Sequence, residues 1–283
     1  MDNIFSVDLE SHSFTWQNMP GSAAYYEKEK LKRNTKLLLS LLDEFNVKAT
    51  FFTLGRIAEE LPGIVIEIFD AGHEIASHGY DHKRVDRMSP DEFKKDIEKT
   101  QNAVFKVTGR HPSGFRAPEF SMKADMGNYF AILKDSGFLY DSSIYPISLH
   151  PGYGDQSAPG QPFLHPSGLI EFPMSYAEVA KLRIPCSGGA YLRHYPFTLF
   201  RILAAKCIEQ GRQYVFYAHP WEIGEIIQDD SFRGIQAYRR FHNIDKVYRR
   251  IRKLLYGFKF HSFIDHINKT GAEKWRINRT KEP

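Results

Sequence analysis

The amino-acid sequence predicts an α/β fold, and two features of the chain indicate it. Short apolar runs alternate with amphipathic stretches through the first two-thirds of the 283 residues. Strands that alternate with helices form a parallel sheet with right-handed crossovers, and such a sheet can close into a barrel. Hydrophobic residues make up 42% and charged residues 25%, as in globular proteins, so a disordered or low-complexity chain is excluded.

The order of the elements follows from hydrophobic periodicity and from the residues that start and stop each element. Strands are predicted at residues 4–9, 49–54, 73–77 and 214–218, with short ones near 114–116 and 138–140. Helices are predicted at residues 31–45, 64–69 and 90–107, with another between the two short strands. The helix at 90–107 has the clearest start, because Ser89 and Glu92 form a capping box around Pro90. Residues 143–168, rich in Pro, Gly and Ser, are predicted as a long loop or small insert.

Composition excludes several classes of protein. The 38 Lys and Arg residues against 34 Asp and Glu residues give a net charge of +4, which is too small to indicate nucleic-acid binding. Cys186 and Cys207 form no CxxC pair, so neither a disulfide framework nor a thiolate zinc site is expected. The N-terminus shows no basic stretch followed by an apolar one, so we expect a cytoplasmic protein or one at the inner membrane face.

The stretch after Ile235 differs from the rest of the chain, because an apolar stripe at helical spacing opposes a basic face. The stripe consists of Ile244, Val247, Ile251, Leu254 and Leu255, and the basic face of Arg239, Arg240, Lys246, Arg249, Arg250, Arg252 and Lys253. We expect a helix that packs on the main domain and leaves its basic face in solvent. The alternative is a surface that meets anionic lipid or a phosphate-bearing substrate.

His78 and His82 are the best local signal for chemistry. Two imidazoles four residues apart reach one point if the loop between them makes a helical turn, which is a common arrangement for zinc. The pair directly follows the predicted strand at 73–77, so it lies at a strand end. A chance or purely structural pairing is the alternative when the two histidines are taken alone.

A third metal ligand is available at the end of the first strand. Asp8 and Glu10 are two residues apart, so in an extended chain their side chains point to the same side. One carboxylate can bind a metal ion while the other acts as a base. A helix cap or a surface charge is the alternative for either residue.

Arg116, Asp141 and His219 each follow a predicted strand in the same way. The chemistry of parallel α/β folds gathers where strands end and loops begin. Any one of the three could be a buried, hydrogen-bonded structural residue. Their recurrence at successive strand ends favours one shared site.

Five segments resemble, in order and spacing, the motifs of the polysaccharide deacetylase family, the NodB-homology group or carbohydrate esterase family 4. The segments are Asp8 to Glu10, His78 to His82, Arg116 to Pro118, Tyr140 to Ser143 and His219 to Glu222. The resemblance covers residues 1–225 as one domain. Residues 226–283 look like the C-terminal helical extension, packed on the barrel, of a subgroup tied to exopolysaccharide and surface-glycan biosynthesis.

The resemblance implies a distorted (β/α) barrel and a metal-dependent N-deacetylase acting on an acetamido sugar. The family usually has two adjacent aspartates in its first motif, the first a base and the second a metal ligand. Here Leu9 stands in the second place and Glu10 follows. We expect Glu10 to take over as the ligand, and an exchange of roles between Asp8 and Glu10 is the alternative.

The expected site holds one divalent ion, zinc first, with cobalt, nickel or iron as alternatives. Its residues are Glu10, His78 and His82 as ligands, Asp8 as general base, Arg116 as the partner of Asp8, His219 as general acid, and Asp141 as the group that keeps His219 charged. A backbone N–H near Glu119 or Phe120 is expected to hold the oxyanion. Tyr191 and Arg193 are expected to touch sugar, and Trp221 to wall the acetyl pocket.

The expected substrate is an N-acetylated sugar, either a nucleotide sugar or a lipid-linked glycan, in bacterial surface polysaccharide biosynthesis. An N-deformylase or an allantoinase-like amidohydrolase on the same scaffold is the nearest alternative. A glycan-binding module that lost activity through Leu9 is the alternative from another class. A metal-free glycosidase that uses Asp8 and Glu10 would leave the histidines without a role.

Overall fold

The computed structural model describes residues 3–11, 19–148, 152–224 and 233–271. The strands are β1 (Asn3–Leu9), β2 (Thr50–Thr53), β3 (Glu74–Ser77), β4 (Gly114–Phe115), β5 (Tyr140–Asp141), β6 (Phe163–Leu164), β7 (Ile170–Glu171), β8 (Tyr176–Val179), β9 (Leu182–Pro185), β10 (Val215–Ala218) and β11 (Phe260–His261). The helices are α1 (Gly21–Glu44), α2 (Gly55–Glu60), α3 (Pro62–Asp70), α4 (Pro90–Thr108), α5 (Gly127–Asp135), α6 (Gly189–His194), α7 (Phe197–Glu209), α8 (Gly234–Phe241), α9 (Val247–Gly257) and α10 (Phe263–Thr270). Among these helices, none has the length and hydropathy that a membrane span requires.

One mixed, mainly parallel sheet organises the molecule. Its strand order is β10-β1-β2-β3-β4-β5-β7-β6, and β11 pairs with β1 as well. The neighbours from β10 to β7 are parallel, and β6 alone on this path is antiparallel. No pairing between β10 and β6 closes the path within the described residues, so the predicted distorted barrel is confirmed as an incomplete one.

The predicted elements of the first half agree with the structure to within a few residues, with one large exception. Helix α1 begins at Gly21, whereas the apolar spacing predicted a start at Leu31. The first turns of α1 escape that pattern because they are solvent-exposed; Tyr25, for example, is 68% exposed. The predicted capping box at the start of α4 is confirmed, since the Ser89 hydroxyl accepts from the Glu92 N–H and the Glu92 carboxylate accepts from the Ser89 N–H.

The C-terminal stretch is mainly helical, as expected, with α8, α9 and α10, but it also contains a strand that was not predicted. Strand β11 pairs in parallel with Asn3 and Ile4 at the start of β1, so the stretch contributes to the central sheet. Helix α10 follows, and its Phe263 lies fully buried inside the barrel against Phe52 and Tyr140. The C-terminal stretch therefore completes the core, in addition to packing on its outside.

Candidate metal centre

The functional side chains lie at the carboxyl ends of neighbouring parallel strands. Asp8 is the next-to-last residue of β1 and Glu10 follows that strand directly. His78, Arg116 and His219 each come immediately after a strand, namely β3, β4 and β10. Because these strands are parallel neighbours, their carboxyl ends meet at one edge of the sheet, and the five side chains converge there.

Glu10, His78 and His82 form a buried cluster that could hold a metal ion. Oε2 of Glu10 lies 2.7 Å from Nε2 of His82 and 3.6 Å from Nε2 of His78. One potential ligand atom from each residue lies within 4.8 Å of the others. The structure therefore brings together the three predicted ligands from two distant parts of the chain.

The chemistry of this donor set fits a divalent ion such as zinc. Two imidazole nitrogens and one carboxylate oxygen are a usual ligand set for catalytic zinc. All three residues are buried, and Oε2 of Glu10 faces Nε2 of both histidines. Burial works to raise the pKa of Glu10, but the charge and hydrogen bonding of His82 and His78 outweigh it and hold the pKa well below its usual range.

The backbone around the two histidines orients both rings without the helical turn that the sequence suggested. Gly79 has a φ of +73° and His82 a φ of +57°, so the loop passes twice through the left-handed region. Nδ1 of His78 lies 2.9 Å from the carbonyl oxygen of Arg116. A carbonyl accepts, so Nδ1 carries the proton and Nε2 faces Glu10, as in many metal-bound histidines.

Leu9 does not interrupt the site, because side chains alternate along β1. Leu9 is fully buried in the hydrophobic core, whereas Asp8 and Glu10 share the opposite side. The prediction that these two carboxylates lie on the same side is therefore confirmed. Glu10, the later of the two, is the one beside the histidines.

Arg116 holds Asp8 in place. Nη1 of Arg116 donates to Oδ1 of Asp8 at 2.7 Å and to the Ser6 hydroxyl at 3.0 Å. The guanidinium is fully buried, with its carbon 4.1 Å from the centre of the Phe52 ring. This charge-assisted pairing fixes the orientation of the Asp8 carboxylate.

His219 lies between the metal cluster and a second carboxylate. Its Nε2 is 3.4 Å from Oε1 of Glu10 and 3.9 Å from Oδ2 of Asp8. Its Nδ1 is 2.9 Å from Oε2 of Glu222, which in turn is paired with Arg193 at 3.0 Å. Burial lowers the pKa of His219, but the charge and hydrogen bond of Glu222, with smaller contributions from Glu10 and Asp8, raise it to about 9.

The prediction that Asp141 keeps His219 charged is wrong, because Glu222 occupies that position. Asp141 accepts a hydrogen bond from the Ser143 hydroxyl at 2.5 Å and lies beside Glu171 on the neighbouring strand. Glu222 belongs to the fifth motif, but the sequence predicted no function for it. Its place three residues after His219, in a tight turn, was the available signal.

The site opens into a cleft of about 260 Å³. Its lining is Asp8, Glu10, His78, His82, Glu119, Phe120, Gly152, Tyr153, Ala190, Arg193, Tyr217, His219, Trp221 and Glu222. Trp221 stacks on His219 with ring centres 5.2 Å apart, which fits its predicted position as a wall. Tyr153, Tyr217 and Gly152 were not identified from the sequence, because isolated Tyr and Gly residues carry no spacing signal.

Tyr191 and Arg193, the two predicted sugar contacts, are not placed as the sequence predicted. Tyr191 is absent from the cleft lining among the described residues, and its hydroxyl lies 3.4 Å from that of Tyr153. Arg193 reaches the cleft, but it is only 3% exposed and its guanidinium is paired with Glu222. Arg193 is therefore placed to position Glu222 instead of reaching out to a sugar.

Glu119 and Phe120 form a strained rim of the cleft. Their φ angles of +54° and +50° are unusual for residues with a side chain. The Phe120 N–H donates to the Ala117 carbonyl at 3.1 Å, so Glu119 is the remaining backbone candidate of the predicted pair. The Glu119 carboxylate accepts a hydrogen bond from Arg84 at 2.9 Å.

The fold and site together define an α/β half-barrel with a His-His-carboxylate centre beside an arginine-bound aspartate and a partly buried histidine. The polysaccharide deacetylase family model matches residues 29–138, and a domain of unknown function, DUF3473, matches residues 142–268. Residues 29–138 therefore form a polysaccharide deacetylase domain of the NodB-homology type, and residues 142–268 match the second domain model. Both matched segments contribute strands to the one central sheet.

The chain spans about a quarter of the length of one curated relative and most of the length of another. The peptidoglycan-N-acetylglucosamine deacetylase PgdA of Listeria monocytogenes is 35% identical over 115 residues, which are 35% of this chain and 25% of that protein. A peptidoglycan deacetylase of Helicobacter pylori is 24% identical over 257 residues, covering 84% of this chain and 78% of that protein. A solved structure from Mycobacterium smegmatis, assigned as a polysaccharide deacetylase, covers 100% of this chain at 22% identity with a TM-score of 0.67, and supports the fold.

Proposed function

We propose that this protein is a metal-dependent N-deacetylase that hydrolyses the acetamido group of an N-acetylated sugar in a bacterial surface glycan or its precursor. The observation that carries the proposal is the convergence of Glu10, His78 and His82 beside the Asp8–Arg116 pair and His219. The names of the Listeria and Helicobacter relatives, both deacetylases of peptidoglycan, support the same reaction class.

Glu10, His78 and His82 are the residues that would hold the ion. Bound there, a cation such as Zn²⁺ supplies polarisation of the acetyl oxygen and a lower pKa for the attacking water. The chain contributes the fixed orientation of the ligands, since the His78 ring is tied to the Arg116 carbonyl. Co²⁺, Ni²⁺ and Fe²⁺ suit the same donor set.

Asp8 is the general base of the proposed reaction. Its Oδ1 is held by Arg116, which leaves Oδ2 directed towards His219 and the cleft. An ionised carboxylate in this position takes the proton of the attacking water as the acyl carbon is attacked. The arginine fixes the orientation of the Asp8 carboxylate through a charge-assisted hydrogen bond.

His219 is the general acid. Its raised pKa, about 9, keeps the imidazole protonated at neutral pH, so that it can give its Nε2 proton to the departing amine. Glu222 binds Nδ1 and thereby directs Nε2 at the cleft. Trp221 stacks on the same ring and limits its rotation.

The test compares two variants that separate metal binding from proton transfer. His82→Ala should lose bound metal and activity together, because it removes one of only three ligands. Asp8→Asn should keep the metal and lose about 10²–10⁴-fold in rate, because it removes the base alone. Metal content is measured by mass spectrometry after dialysis. Activity is measured as acetate released from N-acetylglucosamine oligomers and peptidoglycan fragments.

His111→Ala is the matched control, since His111 is exposed and packs on Phe105 away from the cleft. Metal retained at the wild-type level in His82→Ala would exclude His82 as a ligand. Metal lost in Asp8→Asn would reverse the roles of Asp8 and Glu10. If the acetamido substrates release no acetate but a formamido sugar releases formate or a ureide is cleaved, the acetyl assignment is replaced. A metal-free, inactive wild type would favour a glycan-binding module.

A further inference from the structure

Helices α7 and α9 form a basic and apolar surface that the proposed reaction does not use. Between them lies a groove of about 820 Å³ that is lined by Glu44, Phe45, Phe197, Thr198, Arg201, Arg252, Lys253 and Tyr256. Its residues differ entirely from those of the metal-centre cleft. We refer to this groove and the adjoining exposed faces of α7 and α9 as the α7–α9 surface.

The charge of the α7–α9 surface is positive. Among the described residues that line the groove, three are cations and one, Glu44, is a carboxylate, which is paired with Arg252. Helix α9 carries four basic residues and no acidic one. Arg250 turns inward to the carbonyls of Arg193 and Tyr195, whereas Arg249, Arg252 and Lys253 face solvent.

Large apolar side chains project from the same surface. Tyr256 is 88% exposed, and Ile202 and Leu199 on α7 are 60% and 43% exposed. Ile202 lies one helical turn beyond Thr198 of the groove, and Tyr256 one turn beyond Arg252, so each stands on the face that carries the cations. In the groove itself, the Lys253 ammonium lies 5.7 Å from the centre of the Phe197 ring.

We propose that the α7–α9 surface binds an anionic phospholipid bilayer. Basic residues beside projecting aromatic and aliphatic side chains match a membrane interface, where phosphate groups lie next to acyl chains. The groove, with Phe45 and Phe197 between cations, has the complementary chemistry for a lipid headgroup and the start of its chains. Arg239 and Arg240, the other basic residues expected on this face, have side chains outside the described residues.

The experiment is sedimentation of the full chain with vesicles of phosphatidylglycerol and phosphatidylcholine, against vesicles of phosphatidylcholine alone. We expect binding to the anionic vesicles that falls as salt is raised. Arg201→Gln with Lys253→Gln should weaken binding about fivefold for each charge removed. Tyr256→Ser should weaken it several-fold at constant charge.

Tyr25→Ser is the matched control, because Tyr25 is 68% exposed on α1, outside the groove, and its loss should leave binding unchanged. Thermal unfolding verifies that each variant is folded. No binding to anionic vesicles, or binding that is insensitive to the Arg201 and Lys253 changes, would overturn the proposal. The proposal would also be overturned if a soluble anionic polysaccharide at equal charge concentration displaced the protein from the vesicles. That result would indicate a general polyanion site. Lipid binding here is independent of deacetylation, so the two can fail separately.

Discussion

Glu222 is a buried carboxylate that raises the pKa of the neighbouring His219. Its carboxylate accepts a hydrogen bond from Nδ1 of His219, and it forms a salt bridge with Arg193. Burial alone would lower the pKa of His219, and the negative charge of Glu222 reverses that direction. A general acid must be protonated, so activity is lost as the pH rises through this pKa.

Glu222→Gln should therefore move the alkaline limb of the rate profile to lower pH. The change removes the negative charge that raises the pKa of His219, so the imidazole loses its proton earlier as the pH rises. The limb is measured from the pH dependence of kcat. Glu119→Gln is the control, since its carboxylate lines the same cleft but is bonded to Arg84. An unmoved limb in Glu222→Gln would remove His219 as the titrating acid.

At this scale the sequence located the proposed metal ligands and the proposed base, but it gave the proposed acid the wrong partner. Strand ends and the same-side rule located Asp8, Glu10, His78, Arg116 and His219. Asp141 also follows a strand, but its side chain turns to Ser143 and Glu171, a direction that only the path of the loop determines. Backbone strain at Glu119 and Phe120 is likewise invisible in a residue pattern.

At the scale of elements, β5 and β7 place two carboxylates side by side. Asp141 and Glu171 are register partners, and both are fully buried. Among the described residues, Oδ2 of Asp141 and Oε2 of Glu171 receive no hydrogen bond from a donor, so a proton shared between the two carboxyl groups would satisfy both. Burial raises the pKa of Asp141 to about 6 and that of Glu171 well above its usual range.

A raised carboxyl pKa stabilises the fold only while the group is protonated. The contribution is complete below the unfolded pKa and is lost as the pH rises through the folded pKa. Glu171→Gln supplies a permanent N–H donor to Asp141, so its free energy of unfolding should fall less than that of the wild type between about pH 5 and about pH 8. Urea unfolding at several pH values measures this difference.

Glu178→Gln is the comparison for this prediction, because Glu178 lies on β8 with its side chain 44% exposed. It should show the pH dependence of the wild type. Parallel curves for Glu171→Gln and the wild type would contradict a shared proton.

Elements with a strong local pattern were predicted, as were the short strands β4 and β5, whereas the short strands β6 and β7 were not. The capping box of α4 and the apolar runs of β1 and β2 depend on residues close in sequence. Strands β6 and β7 have two residues each, too few for any periodicity to indicate them. These two strands form because they pair with neighbouring strands of the sheet, so tertiary contacts and not local residue preferences determine them.

At the scale of the whole molecule, the C-terminal stretch is part of the core. Phe263 packs against Phe52, Tyr140 and Phe172 inside the barrel. Its N–H donates to the Thr50 hydroxyl, and the next N–H, of Ile264, donates to Glu74. The expectation of a helical appendage followed from its amphipathic pattern, which cannot show that β11 pairs with the first strand.

Phe263→Ala should lower the free energy of unfolding by about 3–5 kcal/mol, as is usual for a fully buried phenylalanine. Tyr256→Ala, at a position that is 88% exposed, should change it by less than about 0.5 kcal/mol. Chemical denaturation measures both. Equal losses would mean that the barrel folds without its C-terminal helix.

The pairing of β1 with β10 and β11 has a consequence for the nascent chain. Ile4 pairs with Val215 and Asn3 pairs with Phe260, so β1 is synthesised long before both of these partners. During that interval β1, an apolar strand with an unpaired edge, is exposed to association with other chains. We therefore expect the chain to fold in higher yield when a chaperone covers β1 during translation.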